Sequence, residues 1–231
     1  MGFSNWPDGW FLVDKPAGWT SFDVVNKLRR ALRVKKAGHA GTLDPAATGL
    51  LILATGKNTR QIETVQGLDK TYTGTITLGQ TSATYDQEGA LTPSGDPGTV
   101  SDQQIRDQIE SAFTGTIHQV PPMFSALKRD GKKLYELARQ GKTITLEARP
   151  VQISRFDWTR PVPEQIHFAI TCSKGTYIRS IAHDLGSALG CGGYLSDLRR
   201  TAIGPYQISE ALDIETIIAR FRQVAGEEIP T

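Results

Sequence analysis

The sequence predicts an α+β fold, a mixed and largely antiparallel sheet with flanking helices, on three observations. Lys70–Gly79 alternates strictly, with Tyr72, Ile76 and Leu78 on one side and Thr71, Thr73, Thr75 and Thr77 on the other. A period of two, rich in β-branched threonine, is a strand signature. Val151–Trp158 and Gln165–Ser173 read as two further strands at hairpin spacing, the second alternating through Ile166, Phe168, Ile170 and Cys172. Single helical segments separate these strand runs, the arrangement of an α+β domain.

The elements follow in order. Ser21–Arg33 places Val24, Val25, Leu28, Ala31 and Leu32 at helical spacing, with Thr20 or Ser21 as its cap. Leu50–Ala54 is a short apolar run that buries itself and anchors the loop before it. Thr81–Thr99, rich in Gly, Pro, Ser and Thr, reads as a long mobile loop. Ser101–Phe113 is a helix capped by Ser101 with Gln104 three residues on, turning Ile105, Ile109 and Phe113 inward. Pro121–Gly141 reads as a loop followed by a short basic helix. Thr176–Leu189 is a helix with Ile178, Ile181, Ala182, Leu185 and Leu189 on one side, ended by Gly190. A last short helix covers Asp213–Phe221. No repeat of fixed period is present.

The 231 residues carry 26 Lys and Arg against 24 Asp and Glu, a formal net charge of +2, with 22% charged and 39% apolar residues. These are globular values and exclude a disordered, collagenous or coiled-coil chain. The two cysteines, Cys172 and Cys191, are too few for a disulfide scaffold, and no CxxC pair marks a metal site. A reducing cytoplasm is the expected compartment. The opening residues lack the basic start and apolar run of a secretory signal, and Leu50–Ala54 is far too short to span a membrane. A monomer is expected. The near-neutral total hides an asymmetry: Lys27 to Arg60 holds eight basic residues against one acid, Asp44. A basic block of this kind points either to an anionic partner, nucleic acid among them, or to a solvated helix face.

Asp44 lies in the most unusual stretch, Gly38–Gly49 (GHAGTLDPAATG). Pro45 biases Asp44 away from helix, and the glycines allow backbone to approach a ligand closely. A carboxylate held there among basic residues is placed to act as nucleophile or base, or merely to close an Asp-Pro turn. His39, before the loop, suits base stacking or proton shuttling, or is a plain surface histidine. His118, His167 and His183 are scattered without metal spacing, so no metal is expected. No second carboxylate pairs obviously with Asp44, which weakens a glycosidase reading. There is no GxSxG elbow and no Walker A motif, and Gly190–Gly193 (GCGG) lacks dinucleotide-binding spacing. In Ser173–Arg179 (SKGTYIR), Arg179 falls in the first turn of a helix, with a guanidinium that keeps its charge.

These blocks together resemble the TruB family of bacterial tRNA pseudouridine synthases. The resemblance rests on GHAGTLDPAATGLL around Asp44, KTYTGTITLG around Tyr72, PPMFSALKRDGKKLYELARQG from Pro121, CSKGTYIRSIAHDLG from Cys172 and YLSDLRR ending at Arg200. The opening LVDKPAGWTSFDVV, with Lys15-Pro16, resembles the family's first strand, turn and helix. The blocks stand in the family's order and cover most of the chain to about residue 210.

The resemblance implies isomerisation of uridine 55 in the T-loop of tRNA to pseudouridine, without cofactor or metal, by a flipped-base mechanism. Asp44 matches the catalytic aspartate, which attacks either C1′ of the sugar after the base leaves or C6 of the ring. Tyr72 matches the tyrosine that stacks on the base and assists loss of the C5 proton, and Arg179 the arginine that pairs with the aspartate. His39, Tyr177 and Leu198 match positions around the flipped nucleotide. Phosphate contacts from Lys27–Arg60 and Lys128–Lys133 are expected to offset the cost of flipping. The catalytic domain is expected over 1–210, with 211–231 a short tail in place of a complete PUA domain, a departure from many relatives. Two other readings share these features: a non-enzymatic tRNA-folding helper, and a related synthase acting on another RNA.

Overall fold

The computed structural model describes residues 8–125, 127–129, 131–141 and 144–226. Residues 1–7, within the opening searched for a signal, and 227–231 of the expected tail lie outside it, as do the side chains of Lys128, Lys132 and Lys133. Along the chain the elements are β1 (Trp10–Lys15), α1 (Ser21–Ala31), β2 (Ala37–His39), β3 (Thr48–Thr55), α2 (Ile62–Gln66), β4 (Lys70–Leu78), β5 (Gln80–Ser82) and β6 (Leu91–Pro93). They continue with α3 (Asp102–Ala112), β7 (Gly115–Gln119), β8 (Lys128–Arg129), β9 (Lys132–Lys133), α4 (Leu134–Arg139), β10 (Arg149–Val162), β11 (Gln165–Cys172), α5 (Ile178–Ala188), β12 (Gly193–Ile203), β13 (Tyr206–Gln207) and α6 (Ile214–Ala225). The α+β expectation holds, with a sheet in which most neighbours run antiparallel. The chain divides into two compact units, 1–72 with 198–231, and 73–197.

In the first unit β3 is the centre. It pairs antiparallel with β1 and β2 and parallel with β12. Leu51 and Leu53 face Phe11, Val13, Val24, Val25, Leu28 and α6 residues Ile214, Ile217 and Ile218. Leu50 and Ile52 face Ala40, Val65 and Ile203 on the other side. A strand covered on both faces reads as an unbroken apolar run, which is why LLILA shows no alternation. Each of these leucines contributes roughly 1.5–3 kcal/mol of burial. Helix α1 begins as expected: Thr20 accepts from the Asp23 amide and Asp23 answers to the Thr20 amide, a capping box. It stops at Ala31, two residues before Arg33, whose φ of 54° is left-handed.

The second unit is built on the β10–β11 hairpin, flanked by β7 on one side and by β4 on the other. Strand β4 begins in the first unit with Lys70–Tyr72 and continues here; Tyr72, Ile76 and Leu78 are buried along it while the threonines are half-buried, matching the predicted alternation. Gly74 interrupts that row because Phe168 and the Asp197 carbonyl occupy the space: an added Cβ would lie 2.8 Å from the Phe168 ring and 2.2 Å from the carbonyl oxygen. Ser101 and Gln104 form the expected capping box of α3.

One expectation needs correction, and one strand carried no periodic signature. The 81–99 segment is not one unpaired loop, because β5 and β6 pair within it, Thr81 opposite Thr92. Its glycine and proline content masks threonines that favour strands. The 11-residue strand β12 escaped periodicity altogether because Asp197, Arg199 and Arg200 interrupt its apolar run. Those arginines are held by partners elsewhere in the chain. Arg199 donates to both carboxylate oxygens of Asp14, at 3.1 and 2.7 Å.

Candidate functional site

The candidate residues fall in both units. In the first, His39 ends β2, Asp44 is half-buried on the following loop, Tyr72 lies buried on β4, and Leu198 is half-buried on β12.

The loop carrying Asp44 is clamped through its backbone. The Ser21 hydroxyl donates to the Leu43 carbonyl at 3.1 Å and accepts from the Leu43 amide at 2.9 Å. The Pro45 carbonyl accepts from the Gly18 amide at 2.9 Å and from Lys15 Nζ at 3.1 Å. Lys15 is fully buried, and its ammonium also donates to the carbonyls of Pro16 and Trp19, at 2.9 and 2.6 Å. The residues on either side of Asp44 are therefore fixed. A side chain on such a rigid base loses little orientational freedom when it acts, which is what a nucleophile needs.

A second buried cation holds the loop from the other side. Arg200, 1% exposed, donates Nε to the Leu50 carbonyl at 2.7 Å and Nη2 to the Gly41 carbonyl at 3.0 Å. Gly49 sits in register with Lys15 on one neighbouring strand and Arg200 on the other. Its φ is +100°, and an added Cβ would come within 2.3 Å of the Arg200 carbonyl oxygen. Gly49→Ala is expected to lower stability by several kcal/mol, above the ~1–3 kcal/mol of backbone strain alone. A denaturant midpoint equal to the parent's would show that the strands separate freely at this point.

His39 is harder to protonate than an ordinary histidine, first through burial and then through the positive charge of Arg200. A histidine whose folded pKa lies below its unfolded value of about 6.5 contributes stability above that pH, and loses it as the pH falls through the folded pKa. The unfolding midpoint is expected to decline once the pH drops below about 6.5, and His39→Gln to flatten that decline. An identical pH dependence in the variant would assign the effect elsewhere.

In the second unit, Tyr177 is the N-cap residue of α5 and Arg179 lies in its first turn. The buried Gln119 side chain locks this helix start, accepting from the Tyr177 amide at 2.8 Å and donating to the Tyr177 carbonyl at 3.0 Å. Arg179 is 5% exposed and donates to the carbonyls of Thr84 at 3.0 Å and Phe124 at 2.9 Å. Its Nη1 lies 3.3 Å from the carboxylate of Asp86, itself 6% exposed. The other Asp86 oxygen takes the Thr84 hydroxyl at 2.6 Å and the Glu88 amide at 3.0 Å.

Between Thr84 and Asp86 stands Tyr85, at a φ of +64°. A left-handed conformation costs a residue with a Cβ about 1–2 kcal/mol. The Tyr85 ring stacks on His183, centroids 3.9 Å apart and planes within 12°. Aromatic pairs of this kind return roughly 0.5–1.5 kcal/mol, a comparable amount.

Sequence reading missed Gln119, Asp86 and Arg200 as parts of the site. For Asp86 the signal was thin: an acid in a polar loop, two residues from Glu88, looks solvated until the fold buries it. Among the described residues no three His, Cys, Asp or Glu side chains gather as a metal site would require. No described helix is long and apolar enough to cross a membrane. Seven of the eight basic residues between Lys27 and Arg60 are exposed, Arg29 being half-buried. Lys27 faces Glu215 at 3.6 Å.

Comparison with known proteins identifies the family. Residues 29–178 match the N-terminal domain of TruB family pseudouridylate synthases, and residues 179–228 the C-terminal domain of tRNA pseudouridylate synthase B. The tRNA pseudouridine synthase B of Chlorobaculum tepidum is 46% identical over 222 residues, covering 94% of this chain and 92% of that one. That of Arthrobacter sp. (strain FB24) is 46% identical over 215 residues, covering 90% and 70%. A chain in the crystal structure of a Cbf5-Nop10-Gar1 complex superposes with a TM-score of 0.73 at 30% identity, over 95% of this chain and 57% of that longer one. Match, identity and coverage together place the chain in the TruB family of pseudouridylate synthases.

Proposed function

We propose that the protein isomerises uridine 55 in the T-loop of tRNA to pseudouridine. The observation that carries this is the double backbone clamp on Leu43 and Pro45, which presents the Asp44 carboxylate from a rigid loop in a chain of this family. Asp44 is the nucleophile: its carboxylate bonds to C1′ as the base leaves, or to C6 of the ring, and that C–O bond breaks again as the product forms. The N1–C1′ bond breaks, the uracil turns, C5 bonds to C1′, and the C5 proton is lost as N1 gains one. Reactant and product have the same atoms, so no oxidant or second substrate enters. Tyr72 stacks on the base from the rigid strand β4, with His39, Tyr177 and Leu198 around the flipped nucleotide. Arg179 takes the role that the family resemblance gives it. Extruding the base costs a few kcal/mol, and phosphate contacts to the exposed cations of 27–60 offset it. The reading includes a cytoplasmic monomer that needs no cofactor, with the chemistry carried by residues 1–210.

The test is direct. Unmodified tRNA is incubated with the protein, without metal or nucleotide, and pseudouridine is mapped at single-base resolution. One new pseudouridine at position 55 is expected. Its absence with tRNA bound would overturn the reading, and conversion of an unrelated uridine hairpin as readily as the T-arm would shift the substrate to another RNA.

A further inference from the structure

We infer that the Tyr85–His183 stack is a positioning device for Arg179, and so a determinant of turnover rather than of tRNA affinity; the inference rests on the function proposed above. The rotation φ of a residue sets the direction of the preceding carbonyl relative to everything that follows. At Tyr85 that rotation aims the Thr84 carbonyl and the Asp86 carboxylate at one guanidinium, 3.0 and 3.3 Å from Arg179 Nη1. Any return of Tyr85 to negative φ turns one of these acceptors away.

The strained residue is held from two sides. Its carbonyl accepts from the Leu195 amide of β12 at 2.9 Å. Its ring lies flat on His183. Helix α5 carries both Arg179 and His183, four residues apart and therefore on one face. The guanidinium and the ring that fixes its acceptors thus belong to one rigid element. A glycine would adopt the left-handed conformation without strain but would offer no ring to the helix. Tyrosine accepts the strain and gains a second anchor on the element that holds the arginine.

The experiment compares His183→Ala, His183→Phe and the double variant His183→Ala with Tyr85→Gly, measuring kcat and KM for pseudouridine formation on unmodified tRNA and thermal melting of each protein. His183→Ala is expected to lower kcat about tenfold with KM unchanged, since small misplacement of a reacting group costs rate before binding. His183→Phe, which keeps a flat ring, should restore most of the loss. Adding Tyr85→Gly to His183→Ala should recover part of it, because the backbone then reaches its conformation unaided.

Parent-like kcat in His183→Ala would overturn the inference. So would equal losses in kcat and affinity, or a His183→Phe variant no better than alanine. If His183→Ala does not fold, Tyr85→Ala, which keeps the Cβ strain and loses the ring, carries the comparison: a kcat loss with KM unchanged supports positioning, and parent-like kcat overturns it. A parent protein that makes no pseudouridine in the same assay would instead sink the proposed function, so the two failures are distinguishable.

Discussion

Replacing Asp44 by alanine or asparagine is expected to abolish pseudouridine formation, a fall of more than about 10⁴-fold in kcat, as for removal of the nucleophile from other covalent enzymes. Binding of tRNA should survive. Asparagine keeps the shape and the loop but cannot attack carbon, whether the target is C1′ or C6. The loop should keep its place, because Ser21, Gly18 and Lys15 grip the backbone of Leu43 and Pro45 on either side of it. Parent-like melting, retained tRNA binding in a filter assay and no product together identify a nucleophile. Substantial product from Asp44→Asn would remove Asp44 from the chemistry. Loss of binding along with product would make it a structural residue.

The second large effect is expected at Arg179. Alanine there should lower kcat by roughly 10²–10³-fold, the range for removing one preorganised charged donor from a site, while tRNA affinity changes little. It should also destabilise the second unit. Asp86 would be left with a buried charge facing an emptied space, and breaking a buried pair from one side typically costs about 3–5 kcal/mol. The double variant Arg179→Ala with Asp86→Asn separates the two effects. Removing the stranded charge should recover much of the stability but none of the rate. Recovery of rate along with stability would show that Arg179 acts only through folding. Equal losses of turnover and affinity in Arg179→Ala would make it an RNA contact instead.

Much of this was legible in the chain, and the boundary has a physical cause. The alternation of β4, the capping boxes of α1 and α3 and the apolar stripe of α5 are properties of neighbours within a few residues. The unusual loop around Asp44 was visible as composition, and the ordered family blocks gave its residues candidate roles. Strand β12 was not legible, because a buried arginine looks like an exposed one until its acceptors are known. Nor was Asp86, which becomes a buried ion-pair partner only when residues 93 positions apart meet at Arg179.

By itself, then, the sequence determined the α+β class, the main helices and strands, and the chemical groups on offer, since these depend on local propensity and on side-chain identity. Tertiary structure alone decided how those groups are held. Arg200 reaches the Gly41 carbonyl across 159 residues and the Leu50 carbonyl across 150, and Arg179 reaches Thr84 across 95. Hydrogen bonds of such range exist only after the chain has closed, because no local pattern encodes which distant carbonyl a buried cation will meet.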